Sequence, residues 1–318
     1  MIDGFGRKIN YLRLSITDRC NLRCQYCMPE EGVEKLKHSD ILSLEEIDEI
    51  ISAFVDMGID KIRLTGGEPL IRNGIVTLVE KIKNHPEIKD LALTTNGLLL
   101  KTMAEPLKAA GLDRVNISID SLKPDKYFRM TRGGSLDDVL AGIEEAKKVG
   151  LTPIKLNVVI IGGFNDDEIV DFVKLTEDDD IDVRFIELMP IGEVAKWSIK
   201  NYLPNTVVLD RVPELVELVS KDPSSPAKYY RLPNGKGRVG LISPISCKFC
   251  SDCNRIRLTS EGKLKYCLHS DEEFDLKWAI DQKLVLRDYI QASVLKKPLE
   301  HQIGKANTVL RNMVQVGG

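Results

Sequence analysis

Cys20-Asn21-Leu22-Arg23-Cys24-Gln25-Tyr26-Cys27 carries three cysteines in a C-x-x-x-C-x-x-C spacing, directly after an apolar segment at residues 11–17. Three thiolates in one short loop repel each other and oxidise readily unless a soft metal centre holds them. A structural zinc site closes with a fourth cysteine or histidine, and no histidine follows until His38. On a four-iron cluster, three protein ligands leave one iron open to an exogenous ligand, which makes the cluster catalytic and not merely electron-carrying. The loop is read as a cluster loop, with zinc or a chance surface grouping as the alternatives.

The whole chain supports that reading. Its 318 residues suffice for one barrel-sized domain, or a barrel with an appendage. A net charge of −3 offers no global surface for nucleic acid or membrane, so any polyanion must meet a local basic site. No apolar run approaches the ~20 residues of a membrane span, and Met1-Ile2-Asp3-Gly4-Phe5 has no signal-peptide core. A cytoplasmic location is expected. The 7 cysteines form two groups, Cys20/Cys24/Cys27 and Cys247/Cys250/Cys253/Cys267, which is metal-site arithmetic and not a disulfide framework.

Strand-like segments at 11–17, 61–65, 91–94, 114–120, 154–161 and 183–188 alternate with amphipathic helices. Ser43 with Glu46 forms a capping box before Ile47, Ile50, Ile51 and Phe54; Ser135 with Asp138 opens a second helix, and Asn165 is expected to cap a third. This predicts an α/β fold, a partial (βα)6 TIM-type barrel over residues 1–226 with a small region, 227–318, closing its mouth. Within 191–226 a single helix is expected, over 213–220. One strand parity is apolar and suits a helix layer. The other collects Arg13/Ser15/Thr17, Lys61/Arg63/Thr65, Thr94, Asn116/Ser118/Asp120 and Lys155/Asn157. Packed into a dry barrel, these would bury unpaired charge, so the lumen must hold water and a polar ligand. An antiparallel sheet with one wet face is the alternative, disfavoured by the intervening helices.

Thr65-Gly66-Gly67-Glu68-Pro69 follows the second strand, where glycines admit close backbone approach and Glu68 is expected to face the mouth. Together with the three-cysteine loop it resembles the radical S-adenosylmethionine (SAM) enzymes. That resemblance implies a four-iron cluster on Cys20, Cys24 and Cys27 whose open iron is chelated by SAM. It also implies SAM contacts at Tyr26, Gly67, Glu68, Ser118 and Met189.

Cys247-Lys-Phe-Cys250-Ser-Asp-Cys253-Asn-Arg255-Ile-Arg257, with Cys267 farther on, offers a second thiolate group. By spacing alone, a zinc site completed by His269 or by Cys247 stays open. Arg255 and Arg257 alternate on one strand, so their guanidinium forks share a side, as a phosphate chain requires. Two cysteine triplets, the Arg-x-Arg pair and the terminal Gly317-Gly318 resemble the GTP 3′,8-cyclase family of molybdenum cofactor biosynthesis.

The resemblance implies a second four-iron cluster on Cys250, Cys253 and Cys267, leaving out Cys247, with its open iron on the guanine. It implies GTP contacts at Arg13, Arg63, Thr94, Lys155, Arg255, Ile256 and Arg257, and direct participation in catalysis by Arg13, Arg255, Arg257, Gly317 and Gly318. A helical segment at 301–311 is expected to dock the tail, which should be mobile until substrate arrives. As partners the resemblance implies GTP, a flavodoxin- or ferredoxin-type electron donor, and cyclic pyranopterin monophosphate synthase as the next enzyme; a homodimer is a further candidate assembly. The rivals are a twin-cluster peptide maturase and a non-catalytic iron–sulfur or zinc module.

Overall fold

Six strands run where alternation places them: β1 Tyr11–Ser15, β2 Lys61–Thr65, β3 Asp90–Thr95, β4 Arg114–Ser118, β5 Ile154–Ile160 and β6 Ile181–Glu187. The computed structural model describes residues 1–220, 222–301 and 309–317. Helices α1 Leu44–Asp56, α2 Ile75–Lys83, α3 Leu100–Ala109, α4 Pro124–Thr131, α5 Leu136–Lys148 and α6 Ile169–Asp178 lie between those strands. The capping box of Ser43 and Glu46 closes both ways, and the Ser135 hydroxyl accepts from the Asp138 N–H. Buried Ile47, Ile50, Ile51 and Phe54 then fix one face of α1 against the sheet. At ~1.5–3 kcal/mol per buried side chain, that stripe outweighs any propensity term. Phe54→Ala is the single change that would loosen this helix most, at ~3–5 kcal/mol.

The C-terminal region does more than cover a barrel. After α7 Ala195–Lys200, α8 Thr206–Arg211, β7 Val216–Glu217 and β8 Ala227–Arg231, strand β9 Arg238–Ile242 pairs parallel with β6. Strand β10 Arg255–Leu258 pairs parallel with β1 at the opposite edge. The six strands thus become eight parallel neighbours in the order β10-β1-β2-β3-β4-β5-β6-β9. Strands β7 and β8 extend one edge antiparallel, and β11 Lys263–Lys265 with β12 Phe274–Asp275 extend the other. Helices α9 Leu276–Asp281, α10 Leu286–Val294 and α11 Met313–Val316 complete the order. No helix among the described residues is long and apolar enough to cross a membrane.

Three local expectations fail for identifiable reasons. Residues 213–220 are not a helix: a turn follows α8, and Val216–Glu217 pairs with the open edge of β8 while Val219 stands 95% exposed. An unpaired strand edge offers that backbone partners, whereas a helix there would have no core to cover. Asn165 does not cap α6. Its amide instead donates to the carbonyls of Asp120 and Val159 and its oxygen accepts from Ile161, which ties the ends of β4 and β5 together. Of the expected 301–311 helix, residues 302–308 lie outside the described residues, and Val309 forms a parallel bridge with Ile191.

Candidate active site at the barrel mouth

Side chains of the two strand parities face opposite sides of the sheet. Leu12, Leu14, Ile62, Leu64, Leu91, Leu93, Val115 and Ile117 are buried in the helix-facing core. The opposite parity turns into the barrel, where a cavity of about 1760 Å³, counted out to bulk solvent, opens at the C-terminal ends of the strands.

The first cysteine loop leaves β1 and is clamped by neighbouring backbone. The N–H groups of Arg23 and Gln25 donate to the carbonyls of Thr131 and Met130 at 3.1 and 3.0 Å. From the other side Gly67 N–H donates to Thr17 O and Glu68 N–H to Arg19 O, both at 2.8 Å. A β-carbon on Gly67 would run into the Arg19 carbonyl, so this glycine is required by the approach of the two loops. Cys20, Cys24 and Cys27 all line the cavity. Burial pushes the Cys20 thiol up to about 11 and Cys27 to about 12, the latter raised further by Cys20; Cys24 is raised by burial and then by Asp120 and its two fellow thiols. Three half-buried thiols of one loop, raised by burial, form a donor set suited to a cationic iron–sulfur core, which would take them as thiolates.

Around this loop the expected SAM positions are mostly on the wall. Tyr26, Gly67, Ser118 and Met189 line the same cavity. Glu68 does not, contrary to the expectation that it faces the mouth. Its carboxylate, 1% exposed, accepts from Leu70 N–H, Thr95 Oγ1 and Asn96 N–H at 2.9, 2.7 and 2.7 Å, which binds the β2 and β3 loops together. Sequence reasoning placed no role on the neighbours that Glu68 orients, Thr95 and Asn96, though both line the cavity. It likewise assigned no role to the Asp120 carboxylate, which accepts from Tyr26 Oη at 2.9 Å and Val159 N–H at 2.9 Å and thereby sets the ring of Tyr26.

Below lies a cationic layer. Register places Arg13 beside both Arg63 and Arg257, and Arg13, Arg63, Thr94, Arg255 and Arg257 line the cavity. Burial lowers Arg13 to about 9, with Arg257 adding to it, and lowers Arg63 to about 9. Arg13 Nε, Arg63 Nε, Arg255 Nη2 and Thr94 Oγ1 are buried without a hydrogen-bond partner. Orphaned buried cationic donors are costly at several kcal/mol, so they mark where an anionic ligand belongs. Arg184, which the sequence reading passed over, joins this wall at register with Asn157 and donates to Tyr229 Oη at 3.1 Å. Two expected contacts sit off the wall. Lys155, level with Asn116, is absent from the wall, its ammonium 3.5 Å from Asp182. Ile256 has the core-facing parity of β10 and packs among the helix-side residues, so its side chain cannot reach the cavity.

Cys250, Cys253 and Cys267 line the same cavity, and burial raises the Cys267 thiol, opposed by the charge of Lys297 and reinforced by Cys253 and Cys250. Against burial, the charges of Arg255 and Lys297 hold the Cys253 thiol down at about 6. These thiols therefore also suit a soft metal core. Cys247 is exposed and absent from the wall. His269 does line it, with Nε2 3.3 Å from Met189 Sδ, and burial with His301 lowers it to about 3. Among the described residues no three histidine, cysteine or acidic side chains converge as the shell of a single ion.

The tail enters from above. Asn312 caps Met313–Val316 in a capping box with Gln315, and Val314 and Val316 are buried. Asn312 is itself pinned, its oxygen accepting from Glu193 N–H at 3.0 Å and its amide donating to Glu193 Oε1 at 2.8 Å. Arg311 pairs with Glu261 and Glu273 at 2.6 Å. Gly317 then meets Ser15 and Thr65, and its carbonyl accepts from Arg257 Nη1. The tail is thus docked against the barrel through Arg311, Asn312 and Gly317. Gly318 lies outside the described residues.

A cysteine loop at the end of β1 of a parallel, open barrel, facing a polar lumen, defines a radical SAM protein. Residues 14–176 match the Radical SAM superfamily model and 181–303 match Molybdenum Cofactor Synthesis C. The chain belongs to the GTP 3′,8-cyclase family. It is 56% identical over 319 residues to GTP 3′,8-cyclase of Peptoclostridium acidaminophilum, covering 100% of this chain and 98% of that one. With the enzyme of Alkaliphilus oremlandii it shares 56% over 321 residues, covering 100% of both. Among solved structures, Streptococcus suis SuiB bound to precursor peptide SuiA superposes with a TM-score of 0.61 over 98% of this chain and 76% of that one. At 15% identity it speaks for the fold alone.

Proposed function

We infer that this chain is a radical SAM GTP 3′,8-cyclase, converting GTP to (8S)-3′,8-cyclo-7,8-dihydroguanosine 5′-triphosphate, the first step of molybdenum cofactor biosynthesis. The observation that carries this is the meeting of three elements in one cavity: the cluster-loop cysteines, the second thiol group, and buried guanidinium donors without partners. When bound, the four-iron cluster and SAM supply a 5′-deoxyadenosyl radical that takes the hydrogen from ribose C3′ of GTP. Cys20, Cys24 and Cys27 would hold that cluster, with Tyr26, Gly67, Ser118 and Met189 around SAM and Glu68 acting from behind through the loops it ties. Hydrogen abstraction needs no general base, so the chain's task is positioning and the exclusion of water.

Arg13, Arg63, Arg255 and Arg257 grip the triphosphate, Thr94 contacts the nucleoside, and Lys155 adds charge nearby. Cys250, Cys253 and Cys267 would hold a second four-iron cluster, whose open iron would serve the guanine. The division after residue 226 separates the SAM-handling barrel from the part that carries this second site. We read the protein as cytoplasmic, reduced by a flavodoxin- or ferredoxin-type donor and followed by cyclic pyranopterin monophosphate synthase, with a homodimer as its candidate assembly.

Anaerobic reconstitution with iron and sulfide, then incubation with SAM, reductant and GTP, should give 5′-deoxyadenosine and cyclised nucleotide together. Deoxyadenosine without a GTP-derived product would overturn the substrate. Cys247→Ser should keep full iron, whereas Cys267→Ser should lose about half of it, four irons of about eight; iron analysis showing the reverse reassigns the ligand. Arg257→Lys loses the planar fork and should weaken GTP binding about 10- to 150-fold, or ~1.5–3 kcal/mol. Equilibrium binding with both clusters intact checks this, and unchanged affinity removes Arg257 from the phosphate site.

A further inference from the structure

Two lysines are buried in the C-terminal region, and they are treated differently. Lys265 is paired with Glu273 at 3.0 Å. Lys297, 3% exposed and just past α10, makes no ion pair among the described residues. Its ammonium donates to Tyr266 O at 2.6 Å and Arg255 O at 3.1 Å, and reaches Cys253 Sγ at 3.6 Å. Those two carbonyls belong to the two arms that carry the thiols: Arg255 opens β10 two residues after Cys253, and Tyr266 directly precedes Cys267. One ammonium therefore staples both arms together.

A buried cation whose neighbours are two carbonyls and the single sulfur of Cys253 stays only partly compensated for its desolvation until more negative charge arrives. Three thiolates on an iron–sulfur core supply that negative charge. We propose that Lys297 is a positioning residue and the counter-charge of the C-terminal cluster, fixing the Cys253 and Cys267 arms and stabilising the more negative, reduced form of the cluster. This rests on the reading that the C-terminal triplet holds an iron–sulfur cluster. Arg255, over the Phe249 ring at 4.9 Å, is the other cation beside Cys253 and is retained in the test.

The test uses full-length protein in which Cys20, Cys24 and Cys27 are serine, so that iron and electron paramagnetic resonance report the C-terminal site alone. Lys297→Gln and Lys297→Arg are compared with that parent by iron content and by redox titration. The expected result is a lower midpoint potential, or outright loss of iron, in Lys297→Gln, with Lys297→Arg close to the parent. Iron and potential unchanged in Lys297→Gln overturn the inference. Equal loss of iron in both variants also overturns it, because charge would then not be what the site needs. A parent that binds no iron, or binds zinc, overturns the cluster reading together with the inference, and so separates that failure from the others.

Discussion

Gly317→Val should abolish formation of the cyclised nucleotide while leaving iron content and SAM binding close to wild type. Gly317 has φ +71°, the left-handed region that a β-branched residue adopts only under strain. A β-carbon there would strike Thr65 Oγ1 and come within 3.0 Å of Ser15 Cβ, both on the barrel wall. Strain of ~1–3 kcal/mol for the backbone alone corresponds to about 5- to 150-fold, and the clash adds to it. The tail would then withdraw from Arg257, which donates to the Val316 and Gly317 carbonyls. Because Arg311 and Asn312 anchor the tail before it enters, the withdrawal is confined to the last turn. Product assayed against iron and SAM binding in one preparation decides it. Turnover at the normal rate would show that the tail's placement is unrelated to catalysis.

The barrel was legible because strand alternation is a binary code: Arg13 and Arg63 lie inward for the same reason that Leu12 and Ile62 lie outward. Caps that use near neighbours, such as Ser43 with Glu46, were equally readable. What escaped depends on partners distant in sequence. Nothing near β9 or β10 announces that one will pair with β6 and the other with β1, because a parallel pairing is set by tertiary closure and not by a turn. Glu68 was read correctly as part of the loop but turned the wrong way, since three donors from β3 and its own loop claim the carboxylate. Lys155 has the lumen parity but lies beside Asp182 of β6, a pairing that only the register across β5 and β6 reveals. Lys297, in the run Lys296-Lys297-Pro298, reads as a solvated charge until the fold closes over it.

Cys24→Ser should eliminate SAM cleavage completely and leave GTP affinity within about twofold of wild type, within the ~0.5 kcal/mol over which well-separated sites behave independently. The loop does not depend on a metal for its path: Arg23 and Gln25 are tied to Thr131 and Met130, and the Cys24 carbonyl accepts from Cys27 N–H at 2.9 Å. A serine in place of the buried Cys24 therefore keeps the backbone while replacing a soft thiolate by a hard hydroxyl, a poor ligand for iron–sulfur chemistry. Cys20 and Cys27 alone give two ligands where the cluster needs three. Arg13, Arg63 and Arg257 stand on β1, β2 and β10, held by the sheet and not by the loop, so the cationic layer survives the change. Deoxyadenosine release after reduction, read beside equilibrium GTP binding on the same variant, separates the two halves of the site. Cleavage of SAM at the wild-type rate would remove Cys24 from the ligand set, and a parallel loss of GTP binding would show that the two halves are not independent.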